Sequence, residues 1–136
     1  MEYLLDTNIC IHFFRGKFDL IKKFEKIKLE NCAISEITLA ELVFGAENSD
    51  NPVKNHILID KFISRVTIIP IYDSIYLYGK EKARLRKLGT MISDFDLIIG
   101  CTSVEKELTL VTENVHEFER ISNIRIENWI HRTKKR

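Results

Sequence analysis

Long apolar runs are missing from this chain. The longest, around Thr67-Ile68-Ile69-Pro70-Ile71, falls far short of the ~20 residues that a membrane-spanning helix needs. Glu2 stands where a secretory signal would open with basic residues and a long apolar stretch. Both absences point to a cytoplasmic protein with no membrane attachment. Cysteine is sparse and unpatterned. Cys10, Cys32 and Cys101 lie far apart among apolar neighbours, in neither a CxxC pair nor a Cys/His ligand spacing, and read as buried thiols of a reducing compartment. His12, His56, His116 and His131 show no ligand spacing either, which argues against zinc. The 2 prolines and 5 glycines form no linker and no glycine-rich phosphate loop, which disfavours an ATPase or a dinucleotide enzyme. Net charge is nearly absent as well, and +1 overall neither announces nor excludes a nucleic-acid partner.

What is present is a globular composition, 45% hydrophobic and 30% charged over 136 residues, enough for one core and too little for two ordinary domains. The expectation is a single domain over 1–136 with a short basic tail at about 131–136. Charge is uneven along it. Lys80, Lys82, Arg84, Arg86 and Lys87 crowd one segment against only Glu81, either as a solvated helix face or as a phosphate-binding stretch.

Short apolar runs predict strands at 3–5, 32–34, 66–71 and 108–112, with a weaker one at 124–127. Between them Ile21, Phe24 and Ile27 recur at helical spacing, as do Ile37, Ala40 and Phe44, then Ile57, Ile59 and Ile63. Further helices are expected over about 74–88 and from Ser93-Asp94 onward, where Ser93 and Asp96 have capping-box spacing. Strands alternating with helices imply a three-layer α/β fold, a mainly parallel sheet flanked by helices on both faces. In such sheets ligands bind outside the carboxyl ends of the strands.

Acids gather at those ends. Asp6 directly follows the first strand, where an Asp can also cap the next helix. Glu41 lies four after Ile37 and three before Phe44, so helical phase puts it on their apolar face, where a carboxylate needs a partner, a proton or a metal. Asp96 stands in the first turn of an apolar helix, a place the helix dipole also favours, with Asp94 as a competitor that reads better as a cap or exposed acid. Thr112, Asn114 and Glu117 add oxygens after the fourth strand. Two like charges ~5 Å apart repel by ~3 kcal/mol at an effective dielectric of about 20. A convergent set therefore calls for a cation, and hard carboxylate oxygens suit Mg²⁺ or Mn²⁺. Such a site suits phosphate chemistry by metal-activated water, with Glu41 or Glu117 orienting or deprotonating that water.

Taken together, Leu4-Leu5-Asp6-Thr7-Asn8-Ile9, the segment from Ser35 through Glu41 to Gly45, the segment from Gly89 through Asp96 to Gly100, and Leu110-Val111-Thr112-Glu113-Asn114 with Glu117-Phe118 resemble the four ordered motifs of PIN-domain ribonucleases, and within them the VapC toxins of toxin–antitoxin pairs. The resemblance covers nearly the whole chain. It implies that Asp6, Glu41 and Asp96 match three acids of an Mg²⁺ or Mn²⁺ site, that Asn8 and Thr112 support it, and that Asn114 and Glu117 share the claim to the fourth position. It further implies an endoribonuclease acting on RNA. The third and fourth motifs most resemble enteric-type members that cut initiator tRNA in the anticodon loop. The expected partners are a second copy of the chain in a homodimer and a VapB-type antitoxin, through which operator DNA would be bound. In this setting Lys80, Lys82, Arg84, Arg86 and Lys87 are expected to touch the RNA backbone. Two alternatives remain: an acid-pocket phosphatase or receiver-like protein, and a non-catalytic RNA-binding protein on the same fold.

Overall fold

Leu4 and Leu5 are both fully buried yet point to opposite faces of the sheet, into two separate cores. That is the period-two geometry of a strand covered on both sides. The strand is β1 (Tyr3–Leu5), and it lies at the centre of a sheet with β2 (Cys32–Ser35), β3 (Thr67–Ile69), β4 (Thr109–Val111) and β5 (Ile126–Glu127). The order is β3-β2-β1-β4-β5 and every pair is parallel. The computed structural model describes residues 1–132, so residues 133–136 of the expected basic tail lie outside the described part.

Helices α1 (Thr7–Phe14), α2 (Leu20–Ile27), α3 (Glu36–Glu47) and α4 (Pro52–Ile63) pack Ile9, Phe24, Leu42 and Phe62 against the face that carries Leu5, Ile34 and Val111. On the other face α5 (Ile75–Leu88), α6 (Asp94–Glu105) and α7 (Val115–Phe118) pack Leu85, Ile99 and Phe118 against Leu4, Ala33 and Leu110. Each fully buried side chain of this size contributes about 1.5–3 kcal/mol. The expected three-layer α/β architecture is therefore present. Among the described residues no helix is long and apolar enough to cross a membrane.

Helix starts follow local chemistry. Asp6, Ser35, Asn51 and Ser93 each accept a hydrogen bond from a backbone N–H of the helix they precede, which satisfies donors with no partner inside the helix. Pro52 opens α4, where its missing N–H costs nothing. Gly89 closes α5 in the left-handed conformation at φ 70°.

Two expectations are corrected. The strand expected over 66–71 contains only Thr67–Ile69. At its start the Val66 N–H is already bonded to the Phe62 carbonyl, and at its end Pro70 has no N–H to donate. The segment after Asp6, in which no helical spacing was read, forms α1. Its apolar residues run nearly all the way round, from Ile9 and Cys10 to Ile11, Phe13 and Phe14, so no polar stripe betrays the helical period.

This strand order places the site. From β1 the chain builds outward through β2 and β3, then crosses back to lay β4 and β5 on the other side. The direction reverses between β1 and β4, and a crevice opens at the carboxyl ends of such neighbouring strands.

Candidate active site

Asp6 and Thr112 end the two strands that flank this reversal. The Thr112 hydroxyl donates to Asp6 Oδ2 at 2.8 Å, and the Thr7 N–H donates to Asp6 Oδ1 at 2.8 Å. Asp6 is therefore both the N-cap of α1 and a carboxylate on the crevice floor, only 7% exposed. Burial raises its pKa, the bonds from Thr112 and Thr7 oppose that rise, and the charges of Glu41 and Glu117 add to it.

Glu41 arrives from α3. Its Oε1 accepts a 2.7 Å hydrogen bond from the Thr7 hydroxyl, which also lies 3.1 Å from the hydroxyl of Thr38. The reason given above for singling out Glu41 is overturned. The core face of α3 is Thr38, Leu42 and Ala46, whereas Phe44 is 68% exposed and Glu41 itself is half-buried. Glu41 and Phe44 share a face, as the spacing says, but that face lines an open cleft instead of the core.

Asp96 comes from the first turn of α6, held there by the Ser93 cap, whose Oγ accepts the Asp96 N–H at 3.3 Å. Partial burial, then the charge of Asp6, then Glu117 push its pKa up to about 6. Asp94 is occupied elsewhere, accepting from Lys82 Nζ and from the Tyr78 hydroxyl at 2.8 Å each, which agrees with its reading as an exposed acid. At the end of β4, Asn114 donates from Nδ2 to Glu117 Oε2 at 2.6 Å, and its backbone N–H donates to the Thr112 hydroxyl at 3.0 Å. Asn114 and Glu117 thus form one unit, with Asn114 on the cleft wall and Glu117 off the lining but close enough to raise the pKa of Asp96.

The cleft has a volume of about 620 Å³ and gathers Asp6, Asn8, Glu41, Asp96 and Asn114 on its lining. Among the described residues no lysine or arginine lines it. A smaller recess of about 260 Å³ adjoins it, shared by Asp6, Asn8, Thr112 and Asn114. Among the described residues no three acidic, histidine or cysteine side chains enclose a cation by themselves. This donor set fits a hard divalent ion that keeps several waters and takes only one or two carboxylates directly, the habit of Mg²⁺ and of similar ions. Burial is the main reason that Asp6 and Asp96 both have raised pKa values, and the neighbouring carboxylates add to it.

Thr7 is the site residue that spacing did not reveal. It is buried and joins Asp6 to Glu41, and its one sequence cue is adjacency to Asp6. The basic segment divides. Arg84 holds Glu81 through two bonds of 2.8 and 2.9 Å and caps the Arg120 carbonyl at 2.7 Å, and Lys82 pairs with Asp94. Lys80, Arg86 and Lys87 are exposed, with no salt bridge among the described residues. The three cysteines are buried and free, as read, and burial pushes the thiols of Cys32 and Cys101 up to about 12.

A parallel sheet with strand order β3-β2-β1-β4-β5 and an acid cleft at its reversal point defines an α/β protein whose ligand site lies outside the carboxyl ends of its central strands. The PIN domain model matches residues 3–124, and the chain belongs to that family. It is 35% identical to the tRNA(fMet)-specific endonuclease VapC of Salmonella typhimurium, over 95% of this chain and 98% of that protein. It is 36% identical to ribonuclease VapC2 of Haemophilus influenzae, over 96% and 99% respectively. Among solved structures, DNA-bound VapBC from Salmonella typhimurium superposes with a TM-score of 0.88 at 35% identity, covering 95% of this chain and 98% of that one.

Proposed function

We propose that this chain is a divalent-metal-dependent endoribonuclease, the VapC-type toxin of a toxin–antitoxin pair, acting as one unit in the cytoplasm. The observation that carries the reading is the cleft on which Asp6, Glu41 and Asp96 converge from three separate parts of the chain, with no basic residue among the described residues of its lining. The relatives named as ribonucleases match over almost their whole length, which favours RNA over a small phosphomonoester and catalysis over passive binding.

Asp6 and Asp96 are the residues that would hold the ion, with Glu41 and the Asn114–Glu117 unit around it; Mg²⁺ or Mn²⁺ suits their oxygens best. When bound, the ion supplies charge neutralisation at the phosphate and lowers the pKa of water. The remaining work belongs to the chain. Thr7 and Thr112 fix the rotamers of Glu41 and Asp6 through bonds of 2.7 and 2.8 Å. Glu41 faces the cleft with one oxygen held by Thr7, which leaves the other to orient an attacking water and accept its proton. Asn8 and Asn114, on the cleft wall, are placed to donate to phosphate oxygens. The Asn114–Glu117 bond lets both residues serve the fourth position, Asn114 as donor and Glu117 as charge.

The tRNA(fMet)-specific relative makes initiator tRNA the first substrate to try. The VapBC complexes make a VapB-type antitoxin, and DNA through it, the expected partners. A homodimer is supported by the apolar surface where the chain enters α5: Tyr72 just before the helix and Ile75 and Tyr76 at its start are 79%, 49% and 92% exposed. Of the basic segment, Lys80, Arg86 and Lys87 are the residues free for RNA phosphates, and Lys82 can reach them only by leaving Asp94.

The test is incubation of purified protein with total RNA and Mg²⁺. Wild type is expected to yield discrete fragments ending in 5′-phosphate and 3′-hydroxyl, because water and not the 2′-hydroxyl attacks. Asp6→Ala, Asp96→Ala and added EDTA are each expected to abolish them. Cleavage surviving in both variants, or cyclic phosphates at the cut, would remove the mechanism.

A further inference from the structure

Phenylalanine belongs in the core, and here Phe24, Phe62 and Phe118 are almost fully buried while Phe13, Phe14 and Phe18 pack partly buried against it. Phe44 and Phe95 do not. They are 68% and 53% exposed, and both lie on the lining of the acid cleft. Each is tied in sequence to an acid of that cleft. Phe44 follows Glu41 by one helical turn of α3, and Phe95 immediately precedes Asp96 in the first turn of α6. The helices α3 and α6 therefore each bring one carboxylate and one aromatic ring to the cleft.

We propose that Phe44 and Phe95 are substrate-positioning residues that stack the unpaired nucleobases next to the scissile phosphate. The inference rests on the ribonuclease reading. A phosphate brought to the carboxylates carries its two nucleotides with it, and those nucleotides must lie against the walls that hold the rings. An aromatic face in that place offers a base stacking worth about 1–3 kcal/mol, nearly independent of base identity. A base paired in a duplex has no free face to give, so the same rings reject helical RNA. Neither ring is needed to build the acid site, since the bonds that orient Asp6, Glu41 and Asp96 come from Thr7, Thr112 and Ser93.

The experiment compares wild type with Phe44→Leu, Phe95→Leu and the rescue variants Phe44→Tyr and Phe95→Tyr. The probe is a single-stranded RNA oligonucleotide carrying 2-aminopurine, bound with Ca²⁺ replacing Mg²⁺, and its fluorescence quench reports stacking directly. The same proteins are then assayed for cleavage with Mg²⁺. Each leucine variant is expected to lose most of its quench and roughly 5- to 150-fold in kcat/KM, the range that stacking of one base implies. Tyrosine should restore both, and Mn²⁺ affinity and Tm should match wild type throughout. Wild-type quench and turnover in both leucine variants would overturn the proposal and leave this face to a protein segment. Absence of a quench in the wild type would overturn it as well. Failure of the wild type to cut any RNA would instead strike the ribonuclease reading, with the quench still reporting on the rings.

Discussion

At the scale of single residues, the most instructive one is Glu81, the lone acid among the basic residues of α5. It is 3% exposed, and its carboxylate accepts from Arg84 and from the Ser122 N–H at 2.6 Å. The Arg84 guanidinium and the Ser122 bonds outweigh burial and bring its pKa from 4.5 to about 2. A carboxylate depressed in this way stabilises the fold fully above its unfolded pKa and loses that contribution as pH falls toward 2. The shift corresponds to about 3 kcal/mol. Glu81→Gln is therefore expected to lower stability by that order near neutrality, with the difference from wild type shrinking as acid titrates the wild-type carboxylate. Urea unfolding across this range checks it, and equal midpoints at neutral pH would refute it. Arg84 was grouped by sequence with the RNA-contacting cations because a count of charges cannot tell a paired guanidinium from a free one. Ser122 and Arg120, which complete the arrangement, lie far along the chain from Glu81.

At the scale of elements, the site depends on where α6 begins and how it packs. Ser93 sets its first turn, and loss of that cap costs about 1 kcal/mol. Further along the helix, Gly100 touches the layer that carries α7. A Cβ there would meet Ile121 Cδ1 at 2.2 Å and Phe118 Cδ1 at 3.3 Å, and both of these side chains are buried. Gly100→Val is therefore expected to destabilise the protein by about 1–3 kcal/mol through overpacking. It should also lower RNA cleavage by displacing Glu117 and Asn114 from Asp96. Thermal denaturation paired with cleavage rates tests this, and an unchanged Tm would mean that the interface yields without cost. The start of α6 was readable in advance because a cap is a local signal. The start of β3 was less so, because whether Val66 joins the helix behind it or the strand ahead is decided by one bond to Phe62.

At the scale of the molecule, a nearly neutral chain separates its charges into an acid cleft, whose lining among the described residues carries no cation, and exposed cations on α5. RNA binding should therefore depend on salt through the α5 cations and on divalent metal through the cleft, independently. Replacing Lys80, Arg86 and Lys87 together with alanine is expected to reduce the slope of log K against log salt by up to about 0.7 per lost phosphate contact, with Mn²⁺ affinity unchanged. Arg84→Ala should instead appear mainly as lost stability. Titrations of RNA binding at several salt concentrations separate the two, and an unaltered slope in the triple variant would take α5 out of the interface.

The amino-acid sequence by itself determined the period-two and helical runs, the caps at Asp6 and Ser93, and hence the alternation of strands and helices that makes a three-layer α/β fold. Those properties depend on neighbours a few residues apart. Tertiary structure alone decided that β1 and β4 lie side by side, which brings Thr112 onto Asp6 across 106 positions. It also decided that the apolar face of α3 carrying Glu41 and Phe44 borders an open cleft while Thr38, Leu42 and Ala46 face the core. Helical spacing identifies which residues share a face, but the packing of the other layers decides which face meets water. For that reason Glu41 was found on an argument from burial that the fold reverses, and Phe44 and Phe95, core residues by composition, stand at the mouth of the site.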